Sequence, residues 1–167
     1  MTTRIESTGN PRQAPVVLLH GFAMDSRMWR AQVDSLSRER RILTVDLPGF
    51  GPQARASGEV CSATELERAM NAAKTRRAHL VATSYGALTA VDFALAHPDR
   101  VVSLILISPL SVSAPLPFAC WKQCVARGRE GDLALAIEDG LDDALLETLR
   151  HDDELYGAVR DMAFDYS

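Results

Sequence analysis

Residues 78–97, AHLVATSYGALTAVDFALAH, constrain the fold more tightly than any other stretch. Ala78 to Thr83 is a short apolar run of strand length. Ser84 follows at a sharp turn, and Tyr85 to His97 reads as a helix stopped by Pro98. A serine between a strand and a helix, with Gly86 two residues on, is the layout of a nucleophile elbow, in which the turn lifts the hydroxyl above the sheet. Small neighbours are needed because the strand and helix backbones nearly touch. The full pattern is G-x-S-x-G, and Ala82 stands where its first glycine belongs. Alanine is small enough to fit. Taken alone, the tripeptide also suits a serine in an ordinary strand-to-helix turn, so its neighbours must decide.

Those neighbours alternate in character. Arg4 to Glu6 is a candidate edge strand, closed by the turn signal Gly9-Asn10-Pro11. Val16 to His20 is a continuous apolar run of the kind buried on both faces of a parallel sheet, and it ends in Gly21-Phe22. Asp25 is placed to cap a helix whose Met28, Trp29, Val33 and Leu36 fall at helical spacing. A strand Arg41 to Asp46 ends in Leu47-Pro48-Gly49-Phe50-Gly51. Ser62 and Glu65 then form a capping box for a helix from Ala63 to Ala73. Val101 to Ser108 is the last strong strand. Alternating strands and helices predict an α/β fold, a mostly parallel sheet with helices on both faces. In such a sheet the ligand crevice lies beyond the carboxyl ends of the strands. His20-Gly21-Phe22, Asp46 to Gly51, Ser84 and Ser108-Pro109 all fall at those ends, so four segments converge on one edge.

After Ser108 the character changes. Pro109, Pro115 and Pro117 mark a linker, and four short helices are expected beyond it, at about 118–127, 132–138, 142–150 and 152–164. The division is therefore 1–108 as an α/β core and 109–167 as a small, incomplete helical cap over the crevice. The net charge of −4 hides an asymmetry: residues 130–167 carry 12 acidic side chains against Arg150 and Arg160, and an exposed acidic helix face accounts for it. The basic residues are scattered and not interleaved with aromatics, which argues against a nucleic-acid partner. No stretch approaches the ~20 apolar residues of a membrane span, and the N-terminus leads into no apolar signal region. Cys61, Cys120 and Cys124 suggest no disulfide framework, and a reducing cytoplasm is the expected setting. No histidine or further cysteine stands near Cys120 and Cys124 to complete a metal site, and neither metal nor organic cofactor is expected.

In order, Val16 to Phe22, Asp46 to Gly51, His79 to Ala87 and His97 to Ile107 resemble the α/β-hydrolase superfamily, particularly small cytoplasmic esterases, enol-lactonases and carbon–carbon bond hydrolases. The likeness covers about the first two-thirds of the chain, and the helical tail resembles the start of the family's cap. It implies a serine hydrolase acting on a small ester, lactone or related carbonyl compound through an acyl-enzyme. Ser84 matches the nucleophile, and the backbone N–H groups of Phe22 and Tyr85 match the oxyanion hole. His20, Gly21, Phe22 and Tyr85 are the expected substrate-binding residues. The need for such donors is physical: charge develops on the carbonyl oxygen, and each pre-aimed donor in a dry site can be worth roughly 3 kcal/mol. Tyr85 opens a helix, so its N–H is a free donor at the positive end of the dipole. His20 is expected to fix the oxyanion turn, and Asp46 to brace its own turn.

A serine needs a base and an acid to orient it, and the family supplies them from strands after the cap, which this sequence does not show. His79 lies about five strand residues from Ser84, ~16 Å, and His97 about 13 helical residues away, ~20 Å. His151 lies in the tail beside Asp152 and Asp153. The chain is therefore expected to be inactive or weak by itself; the alternative is a non-catalytic module that binds a ligand or partner. The outer edge of 101–108 is expected to be open and apolar, covered by the tail, by a second copy in a homo-oligomer, or by a complementing fragment.

Overall fold

A computed structural model describes residues 4–10, 13–51, 63–109, 123–124, 126–127, 129–142 and 144–165. The chain divides into two compact units, Met1–Ser111 and Val112–Ser167. Among the described residues no helix is long and apolar enough to cross a membrane.

The first unit is built on five strands: β1 (Arg4–Gly9), β2 (Val16–Leu19), β3 (Arg41–Asp46), β4 (Ala78–Thr83) and β5 (Val101–Ile107), in the order β1-β3-β2-β4-β5. Only β1 runs antiparallel, pairing Arg4 with Asp46 through Gly9 with Arg41. The edge strand is thus longer than the sequence suggested and takes in Gly9, whose φ of 87° suits glycine alone. The other pairs are parallel, and β2 lies between β3 and β4. All four residues of β2 are buried, as a strand covered on both faces requires.

The two faces have different cores. Val17, Leu19, Leu43, Val45, Leu80 and Ala82 meet α2 (Ala63–Ala72) and α3 (Ser84–Ala96) through Leu66, Met70, Ala87, Ala90 and Phe93. Each fully buried large apolar side chain there contributes about 1.5–3 kcal/mol. Val16, Leu18 and Ile42 face the other way, onto Trp29. Trp29 ends a 3-10 helix, Ser26–Trp29, capped by Asp25 and continued by α1 (Arg30–Leu36). Ser62, the expected cap of α2, lies outside the described residues.

Two arginines lash the amino-terminal rim. Arg41 reaches Ser7, Thr75 and the Ala73 carbonyl. Arg100 donates to the carbonyls of Arg76 and Thr75, to Asn71 and to Glu67. At the far edge, β5 turns Leu104 and Leu106 toward the α3 core, while Ile105 and Ile107 remain 52% and 44% exposed. Among the described residues no strand pairs with the outer side of β5, an apolar edge without charge or proline.

The described elements of the second unit are helical. Residues 123–124, 126–127 and 129 are helical, while the start of the expected 118–127 helix lies outside the described residues. α4 (Leu133–Leu141) is capped by Asp132, and α5 (Asp153–Phe164) by Asp152. Between them the short helix expected at about 142–150 is a 3-10 helix, Ala144–His151. Asp142 is spent as the C-cap of α4, and its carboxylate takes Arg150. α5 buries Val159, Met162 and Ala163.

Candidate active site

Ser84 sits where β4 gives way to α3. Thr83 is still extended, at φ −118° and ψ 145°, and Ser84 turns to φ 47°. A left-handed conformation costs a non-glycine residue roughly 1–2 kcal/mol and persists only where packing over-determines it. Here the packing is the approach of α3 to β2. A Cβ added at Gly86 would overlap the His20 carbonyl oxygen and come within 2.9 Å of the Leu19 oxygen. Ala82, at the position of the missing glycine, is fully buried without disturbing the turn. Thr83 offers no side-chain cap to α3, whose first turn, Tyr85 included, holds N–H groups without partners inside the helix.

The turn after β2 lies alongside. A Cβ built at Gly21 would stand 3.7 Å from the Ser84 Cβ. Phe22 follows it, then Ala23 at φ 56°. The Phe22 ring stands 6.2 Å from that of Tyr85 and 5.5 Å from that of Phe50, and Phe50 is 5.7 Å from Tyr85. Three aromatic rings, from two loops and the first turn of α3, thus gather at the rim beside Ser84, with Phe22 46% exposed. Phe50 had no role in the sequence reading. Its only signal was its place in the glycine-flanked turn after β3, at the same sheet edge as the serine.

His20 is fully buried and lies beneath these rings, 5.4 Å from Phe50. The backbone N–H of Leu47 donates to its Nε2 at 2.9 Å, so Nδ1 carries the proton and donates to the Gly21 carbonyl at 2.7 Å. Both ring nitrogens are engaged with backbone, so His20 supports the turn from below and presents no nitrogen to a ligand. Burial holds its pKa below the ordinary 6.5, against the Gly21 bond and the nearby Asp46 and Asp25, which favour the charged ring. Asp46, expected to brace its own turn, reaches across to the loop after β2: its Oδ1 accepts the N–H of Ser26 at 2.8 Å.

The other histidines of the first unit are engaged elsewhere. His79 bonds the Ser103 hydroxyl at 2.8 Å near the start of β4, and His97 lies against Phe93 and 3.9 Å from Glu67. His151 belongs to the second unit. Among the described residues of the first unit, no histidine is presented to Ser84 as a base.

Comparison with known proteins defines the class. A family model of the alpha/beta hydrolase fold matches residues 14–161, and the chain belongs to that family. Among individual relatives, it is 37% identical over 109 residues to a pimeloyl-(acyl-carrier protein) methyl ester esterase of Aeromonas hydrophila, a stretch covering 65% of this chain and 42% of that protein. A thermophilic esterase of Thermogutta terrifontis superposes with a TM-score of 0.77 at 28% identity, over 96% of this chain and 61% of that one. The enol-lactonase of Burkholderia xenovorans shares the fold, with a TM-score of 0.80 at 22% identity over 96% and 64% of the two chains. The chain thus matches about two-fifths to two-thirds of the length of these proteins.

Proposed function

We propose that this chain carries the nucleophile half of a serine esterase acting on a small carboxylic ester, lactone or related carbonyl compound, in a reducing cytoplasm. The observation that carries this reading is Ser84 held at φ 47° beside the Gly21-Phe22 turn. The Ser84 hydroxyl attacks the acyl carbon, and its proton passes to solvent water as the new C–O bond forms. The tetrahedral oxygen takes its charge onto the N–H groups of Phe22 and Tyr85. Collapse expels the alcohol with a proton, and water then releases the acid from Ser84. Phe22, Phe50 and Tyr85 supply an apolar mouth suited to a short acyl or ring substrate. Two relatives are named as esterases, one of them of a methyl ester, which supports a small alcohol as leaving group.

The histidines of the first unit are engaged elsewhere, so turnover by this chain alone is expected to be slow, resting on the oxyanion donors. Incubation with p-nitrophenyl acetate should give a burst of p-nitrophenol and an acetyl group on Ser84 by mass spectrometry, both absent in Ser84→Ala. Equal rates in the two proteins would instead favour a binding module that uses the same mouth without covalent chemistry.

The exposed edge of β5 is proposed as the place where a second copy or a complementing strand pairs. Light scattering across a concentration series should show the wild-type mass rising, and Ile105→Lys should hold it at that of one chain. A concentration-independent mass for both would remove the second copy from consideration.

A further inference from the structure

Two loops at the carboxyl rim hold each other by exchanged side chains. His20, at the end of β2, accepts the N–H of Leu47 on the loop after β3, at 2.9 Å. Asp46, at the end of β3, accepts the N–H of Ser26 on the loop after β2, at 2.8 Å. The two side chains are 0% and 5% exposed, so neither bond is easily exchanged for water. Gly51, at φ 92°, folds the second loop back over the carboxylate: a Cβ there would lie 2.9 Å from Asp46 Oδ2.

What lies between the two fastenings is the turn beside Ser84. Within it Ala23 holds φ 56°, a conformation alanine leaves unless its surroundings fix it. The neighbouring buried carboxylate, Asp25, does not share the task. It takes the backbone N–H and the guanidinium of Arg27 on its own loop. Asp46 is the buried carboxylate that spans the two loops.

From this geometry we infer that Asp46 is a positioning residue: with His20 it forms a reciprocal clamp that sets the Phe22 amide beside Ser84 and the Phe22 ring against Phe50. The clamp couples the loops in both directions, so loosening either bond loosens the other. The mechanical coupling stands on the two hydrogen bonds; its consequence for chemistry rests on the reading of Ser84 as nucleophile.

Amide hydrogen exchange by NMR tests the coupling without any activity. In Asp46→Ala the exchange of the Ser26 amide should rise about tenfold or more relative to Val17 in central β2, and that of Leu47 should rise with it. In His20→Asn, which loses the Nε2 acceptor, both amides should again rise together. Asp46→Asn keeps a carbonyl oxygen for Ser26 and should restore both. Exchange that rises only at the amide whose own partner was removed overturns the clamp. So does a rise at Val17 equal to that at Leu47, because the loss is then of the whole fold. The p-nitrophenyl acetate burst should slow in Asp46→Ala and recover in Asp46→Asn. Coupled amides in a protein without any Ser84-dependent burst would leave the clamp standing and end the esterase reading.

Discussion

Replacing Gly86 by alanine is expected to lower the melting temperature by about 2–12 °C and, on the reading of Ser84 as nucleophile, to slow its acyl burst. Alanine is the better helix former by ~1 kcal/mol, so propensity alone predicts a gain. The structure opposes it, because the new methyl group would fall onto the His20 carbonyl oxygen and near that of Leu19. Both obstacles are backbone atoms of β2 and its end, which cannot rotate away as a flexible side chain would. Either α3 lifts from the sheet or the turn opens. Overpacking of this kind costs about 1–3 kcal/mol, and a chain of this size loses roughly 2–4 °C per kcal/mol. Gly157 in α5 is the matched control, since nothing lies within 4 Å of a Cβ built there. Gly157→Ala should raise stability slightly. Thermal melts of the pair decide the matter: an equal rise in both would mean that α3 and β2 are not in backbone contact.

His20 is the second position of large effect. In His20→Ala the Leu47 N–H and the Gly21 carbonyl both lose buried partners, and a cavity opens beneath the aromatic mouth. Two orphaned backbone groups at about 1–3 kcal/mol each make a loss of about 3 kcal/mol or more. His20→Gln, which can offer Leu47 an oxygen near the position of Nε2, should recover part of it. The same histidine sets a pH dependence. Burial holds the folded pKa below 6.5, so the unfolded chain takes a proton first as pH falls. Between 6.5 and the lowered folded value the unfolded state therefore binds more protons, and stability declines as pH drops. Its contribution is complete above about pH 6.5. Urea midpoints measured from pH 8 down to 5 should fall for the wild type and fall less for His20→Gln. Parallel curves would show that His20 titrates alike in both states.

Much of the core was legible because burial on both faces leaves a plain record. Val16 to Leu19 could only be an inner strand, and Ala78 to Ala96 only a strand turned into a helix. The site was legible where a residue's chemistry is local: a serine at a turn, a glycine where backbones meet. It was illegible where function depends on reach. Nothing in the order of letters says that Asp46 crosses to Ser26, or that Phe50 comes to rest between Phe22 and Tyr85. Both follow from β3 lying beside β2, a neighbour relation fixed by the whole sheet. In the tail the capping aspartates Asp132 and Asp152 marked where helices begin, but nothing in so short a segment distinguishes the tighter coil of Ala144–His151 from an α-helix.

The lashings made by Arg41 and Arg100 sit at the opposite rim from Ser84. Foundation and workshop are therefore on different floors. Rings at the mouth can be exchanged while the groups that secure the ground level stay untouched, which gives this scaffold wide latitude for divergence and redesign.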